Sequence, residues 1–119
     1  MKKQNPYLDF LAEQLAPLGE ITFRAMFGGY CVYADGVVFG LIADNELFLK
    51  VDDGNRPKFE ARGLKPFKPF PDRDEVMQYY PAPAETFESP EGMREWAGSA
   101  LAAGQRAQEK KKKRVKGRG

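Results

Sequence analysis

Histidine is absent from this 119-residue chain, and cysteine and tryptophan each occur once. Without an imidazole there is no Ser-His-Asp triad and no Cys/His zinc set, and the lone Cys31 has no partner for an intramolecular disulfide. No apolar run approaches the ~18 residues that a membrane-spanning helix needs. The start, Met1-Lys2-Lys3-Gln4-Asn5-Pro6, leads into a charged amphipathic segment instead of the apolar stretch of a secretion signal. A cytoplasmic location is therefore expected, with no membrane partner, no cofactor and no evident small-molecule substrate. The length and the 42% hydrophobic share suit one small domain with one modest core.

The charge is split along the chain. Residues 1–105 hold 11 Lys/Arg against 16 Asp/Glu, whereas residues 106–119 hold 8 against 1. The first segment is read as an acidic domain and the second as a basic tail, expected to be disordered because like charges repel and have little to bury. Lys110, Lys111, Lys112, Lys113, Arg114, Lys116 and Arg118 are the candidate nucleic-acid contacts, since neutralised phosphates and released counterions supply most nonspecific affinity. A solvated end that only aids solubility is the plainer reading of the same run.

Asn5 followed by Pro6 starts a helix that places Leu8, Leu11, Ala12 and Leu15 on one face, and Pro17 and Gly19 stop it. From Ile21 the period becomes that of strands. Three apolar runs over residues 21–52 are separated by Asp35-Gly36 and Asp44-Asn45, both favourable two-residue hairpin turns. Residues 55–62 suit a short helix ended by Gly63, and short strands are expected at 65–70 and 76–80, the first on an edge because of Pro66 and Pro69. Ser89-Pro90-Glu91 opens a last helix with a stripe of Met93, Trp96, Ala97, Ala100 and Leu101. The expected class is α+β, an antiparallel sheet in the order α-β-β-β-α-β-β-α with helices packed on one face.

Unbroken alternation from the two turns sets Cys31 opposite Gly40, Ile42 opposite Leu47 and Gly40 opposite Leu49. Cys31, Tyr33, Val38, Gly40, Ile42, Leu47, Leu49 and Val51 then share the core face, with Gly40 leaving room for a helix. Tyr30, Val32, Phe39, Leu41 and Phe48 share the other face, which is too apolar to remain wet. Either the last two strands or the final helix covers it, or a partner chain does. These five residues and Arg24, the least explained polar residue nearby, are the candidate protein-binding set.

The stretch Phe23-Arg24-Ala25-Met26-Phe27-Gly28-Gly29-Tyr30-Cys31-Val32-Tyr33-Ala34-Asp35-Gly36 resembles the N-terminal domain of the TfoX/Sxy family. Leu47-Phe48-Leu49-Lys50-Val51-Asp52, Phe59 with Gly63, Pro66-Phe67, Tyr79-Tyr80-Pro81 and Trp96 follow in order, so the resemblance runs from about Ile21 to Leu101. It implies an antiparallel α+β domain linked to regulation of natural competence, where family regulators act with the cyclic-AMP receptor protein at promoters, and it implies no established catalytic residue. Full-length competence regulators carry a second domain of helix-hairpin character, in place of which this sequence has its basic segment. What carries over is the domain and its tendency to contact other proteins.

Structural readings compete with functional ones at each notable residue. Met26 and Phe27 suit core space, and Gly28-Gly29 suits a bend or a close backbone approach, without the Gly-Lys-Ser/Thr end of a phosphate loop. Cys31 reads as a buried small hydrophobe. Asp52-Asp53-Gly54-Asn55 lacks the later glutamate of a calcium loop and reads as a turn with a helix cap. Tyr79, Tyr80, Phe67 and Phe70 read as core and lid, not as base-stacking platforms. The leading expectation is a noncatalytic regulatory or adaptor module that acts by protein association or self-association, with weak DNA contact through its tail. The alternative is a nucleic-acid accessory protein whose lysine-rich end is the active element. An enzyme would need a paired constellation, and the scattered charges supply none.

Overall fold

The computed structural model describes residues 5–26, 28–69 and 76–117, with side chains through Lys112. Its elements run α1 (Pro6–Leu15), β1 (Ile21–Met26), β2 (Gly29–Ala34), β3 (Val37–Ala43), β4 (Glu46–Lys50), α2 (Arg56–Glu60), β5 (Tyr79–Pro81) and α3 (Pro90–Gly117). Short 3-10 turns occupy Ala16–Leu18 and Ala84–Phe87. The five strands form one antiparallel sheet in the order β1-β2-β3-β4-β5. The α+β class is therefore as expected, while the element order differs in two places.

The first difference lies in the run from Ile21 to Ala34, which is two strands. Gly28 has φ 76° and Met26 pairs with Gly29, so a tight turn folds the run back on itself. Gly29 serves the other expected role, since a Cβ there would sit 1.9 Å from the Ile42 carbonyl oxygen. Phe27 lies outside the described residues. The second difference is that the strand expected at 65–70 is reduced to an isolated bridge, Phe67 to Met77, and residues 70–75 also lie outside the description.

The two hairpin turns form as the sequence predicts. Asp35 and Gly36 have φ 49° and 82°, and Asp44 and Asn45 have φ 52° and 56°, the paired positive values of a type I′ turn. Ala34 pairs with Val37, and Ala43 with Glu46. The β3–β4 register follows, with Ile42 opposite Leu47 and Gly40 opposite Leu49. Between β2 and β3 the alternation breaks. Tyr33 pairs with Val38 but Val32 pairs with Gly40, so Phe39 is the extra residue of a β-bulge. Cys31 consequently stands opposite Leu41, not Gly40, and the expected division of the faces fails from that point on.

One face carries the main core. Val32, Phe39 and Leu49 are fully buried there with Leu11 and Leu15 of α1, Phe59 of α2 and Ala97 and Ala100 of α3, so all three helices lie on this side. Trp96 meets Phe59 edge to face at 5.1 Å between ring centres. A glycine on α3 lets the helix approach the sheet closely, since a Cβ at Gly104 would lie 2.2 Å from the Val38 carbonyl oxygen. Gly40, expected to admit a helix, instead faces the Phe48 carbonyl and the Leu47 side chain.

Candidate functional site

The six residues of the expected protein-binding set do not form one patch. Val32 and Phe39 are fully buried in the main core, and Tyr30 packs half-buried at its margin. Leu41 and Phe48 face the opposite way, opposite each other on β3 and β4, in a small second core with Tyr79. Arg24, across from Cys31, is exposed. The bulge at Phe39 causes this separation, because one extra residue exchanges the faces of everything beyond it.

The second face is covered by the chain itself. Phe67 and Met77 pack on Leu41, Phe48 and Tyr79, and the Phe67 ring lies 4.8 Å from that of Phe48. Cys31 is buried on this side, its thiol 3.2 Å from the Met26 sulfur. Burial pushes the thiol pKa up, opposed mainly by nearby Arg24, and burial also pushes Tyr79 up to about 12. Both groups are neutral at physiological pH. Cys31→Ser is expected to cost about 1–2 kcal/mol by burying a hydroxyl in place of a thiol, and native Cys31 should label with a thiol reagent only on unfolding. Prompt labelling of the folded protein would contradict its burial.

The other candidate set sits on α3. Ser89 caps this helix by accepting the Gly92 N–H at 2.9 Å, and Met93, Trp96, Ala97, Ala100 and Ala103 then recur on one buried stripe. The stripe reaches two residues beyond the expected limit at Leu101. Small side chains at Ala97, Ala100 and Ala103, with Gly104, let the helix lie close to the sheet, a pattern present in the sequence at helical spacing.

The loop after β4 fastens the helix further out. Arg106 donates two hydrogen bonds to the Asp52 carboxylate, from Nε at 2.7 Å and Nη2 at 2.8 Å. Asn55 does not cap α2 with its side chain, contrary to expectation. Its oxygen accepts from the Asp52 N–H at 2.8 Å, and its amide donates to the Lys50 carbonyl at 3.0 Å and to Ser99 on α3 at 3.3 Å. The Asp-Asp-Gly-Asn turn is thus a strut between β4 and α3, with its first carboxylate engaged by an arginine.

Hydrogen bonding from Arg106 holds the Asp52 carboxyl down at about 2, against the opposing effect of burial and with help from the Gly54 N–H. A depressed carboxyl pKa adds stability above its unfolded value of about 4, and that stability is lost as the pH falls through the folded value. Asp52→Asn is expected to flatten the stability profile between about pH 4 and pH 2. At neutral pH it should cost no more than about 1 kcal/mol, because the pair is partly solvated. An unchanged acid limb in urea titrations would show that the pair is not formed.

Beyond Arg106 the chain continues as helix to Gly117, where an unstructured tail was expected. The core stripe and the Arg106–Asp52 pair supply the nucleus, and adding residues to an existing helix avoids the cost of starting one. Cations near a helix C-terminus are also favoured by the helix dipole. Lys110, Lys111 and Lys112 are exposed, Lys113, Arg114 and Lys116 lie on the same helix, and Arg118 falls outside the described residues. At about 100° per residue, Lys110, Lys111 and Lys112 spread around the helix instead of forming one stripe.

The geometry defines a small antiparallel α+β domain from which a helix carries cations outward. Among the described residues no three Cys, Asp or Glu side chains come together as a metal set, and no helix is long and apolar enough to cross a membrane. The family model of the TfoX N-terminal domain matches residues 13–104, and the chain belongs to that family. It is similar to Protein Sxy of Escherichia coli (strain K12), 45% identical over 38 residues, covering 32% of this chain and 18% of that protein. It is also similar to an uncharacterized 12.7 kDa protein in the trpE 5′ region of Spirochaeta aurantia, 37% identical over 54 residues, covering 45% of this chain and 47% of that one. The matched region therefore spans less than half the length of either relative.

Proposed function

We propose that the protein is a noncatalytic regulatory module of the competence-linked type, working by protein association, with the basic end of α3 making nonspecific contact with duplex DNA. The observation that carries the reading is α3 itself. One continuous element is packed into an acidic domain along its first half and carries Lys110 to Lys116 beyond it. Phosphates are attracted to the helix end and repelled by the domain, which orients the protein on DNA without reading its bases. Membership of the TfoX N-terminal domain family and the similarity to Protein Sxy support a regulatory role.

The test compares transcripts in host cells that lack the protein, carry the full chain, or carry a chain ending at Glu109. The full chain is expected to restore a defined set of transcripts, and the shortened chain to restore them weakly while folding normally. No transcript difference between cells with and without the protein would overturn the regulatory reading. Full restoration by the shortened chain would remove DNA contact from it.

A further inference from the structure

The two edges of the sheet are unequal. At the β5 edge, Phe67 donates its N–H to the Tyr79 carbonyl at 2.7 Å, so that edge is partly closed. At the other edge, β1 pairs only with β2, and among the described residues no backbone hydrogen bond reaches its outer side. Antiparallel ladders alternate inward and outward. Met26 and Gly29 close the hairpin and Asp35 donates to the Glu20 carbonyl, which places the backbone groups of Thr22, Arg24 and Met26 toward β2 and leaves those of Ile21, Phe23 and Ala25 facing out. Six residues long and free of proline and lysine, β1 carries a single charged side chain, Arg24, as protection against edge pairing.

We propose that β1 pairs with β1 of a second copy of this chain, antiparallel about a two-fold axis at Phe23, joining two sheets into one. The proposal deepens the association reading above by naming the partner. In this register Phe23 meets its own counterpart and Ile21 meets Ala25 twice, three pairs that each exchange two hydrogen bonds. Ile21 and Phe23, half-buried at the margin of the main core, extend that core across the axis. On the other face Arg24 stands opposite Thr22 of the second copy. Sliding the strands so that Arg24 opposes itself sets two cations face to face, and sliding the other way leaves Ala25 unpaired, so charge and pairing select the same register.

Sedimentation of the full chain across the micromolar range tests this. A concentration-dependent dimer is expected, and Ala25→Pro, which removes an outward N–H and leaves the β1–β2 ladder intact, should yield a monomer with an unchanged melting transition. Thr22→Lys should weaken the dimer about fivefold by opposing Arg24 at two symmetric places, and Thr22→Asp should tighten it by a similar factor. The Thr22 pair decides the matter if Ala25→Pro fails to fold. A chain that stays monomeric, or a dimer indifferent to charge at position 22, overturns the proposal. A monomer that still restores transcripts overturns the dimer alone and leaves the regulatory reading standing.

Discussion

Leu49→Glu is expected to abolish the cooperative unfolding transition, and its neighbour Phe48→Glu to weaken it while leaving a folded protein. Leu49 is fully buried at the centre of the sheet, between Gly40 and Tyr80 on the flanking strands, and faces α3 and the rest of the main core. Removing the leucine forfeits about 2–5 kcal/mol, and an unpaired carboxylate in its place costs several more. Together these rival the whole stability of a small domain, about 5–15 kcal/mol. Phe48 points to the second face, where its cover is one short segment around Phe67 and Met77 that can move aside and admit water. There the loss should be about 3–5 kcal/mol. Urea unfolding followed by tryptophan fluorescence measures both, since Trp96 reports on the main core. Equal unfolding by the two substitutions would show that the second face is as tightly packed as the first, and no effect of Phe48→Glu would show that its cover is not formed.

Gly104→Leu is expected to cost about 3 kcal/mol or more and to lift the outer part of α3 from the sheet. A Cβ at this position would lie 2.2 Å from the Val38 carbonyl oxygen and 3.0 Å from a Val37 methyl carbon, and the first of these is backbone that cannot turn away. A larger side chain must either displace the helix or distort the bulged strand, and overpacking of this kind typically costs about 1–3 kcal/mol before any contact is lost. Displacement would also break the Arg106–Asp52 pair. Gly98 is the internal control. A Cβ there meets nothing within 4 Å, so Gly98→Ala should stabilise the protein by about 0.5–1 kcal/mol through helix propensity alone. Stabilisation by Gly104→Ala of the same size would contradict the close approach.

Local signals in the sequence were legible where one residue type has one strong preference. Asp35-Gly36, Asp44-Asn45, Asn5-Pro6 and Ser89-Pro90 each produce the turn or helix start that their backbone chemistry favours. The hairpin register beyond Val32 was misread because Gly40, next to the bulged Phe39, suits a bulge as well as the close helix approach assigned to it, and that one extra residue dissolved the expected five-residue face. The break between β1 and β2 was hidden for a related reason, since a Gly-Gly pair serves equally as a bend within a strand and as a turn between two. The expected end of the ordered domain at residue 105 followed from the change in charge and the fading apolar stripe. The Arg106–Asp52 pair spans 54 residues of sequence and could not be found by spacing. Small residues at Ala97 and Ala100 belong to the apolar stripe expected from the sequence, whereas Ala103, equally buried, lies beyond its expected end.

The measurement closest to the central claim is the affinity of the protein for duplex DNA as a function of salt, made with the full chain and with a chain ending at Glu109. With about five cations of the helix end neutralising phosphates, the full chain should lose a factor of about 10²–10³ in affinity between 50 and 200 mM salt, equally for unrelated sequences, and the shortened chain should show no measurable binding while melting as the full chain does. Salt-resistant binding to one sequence, or binding that survives the loss of residues 110–119, would contradict a role for α3 as the DNA-contacting arm.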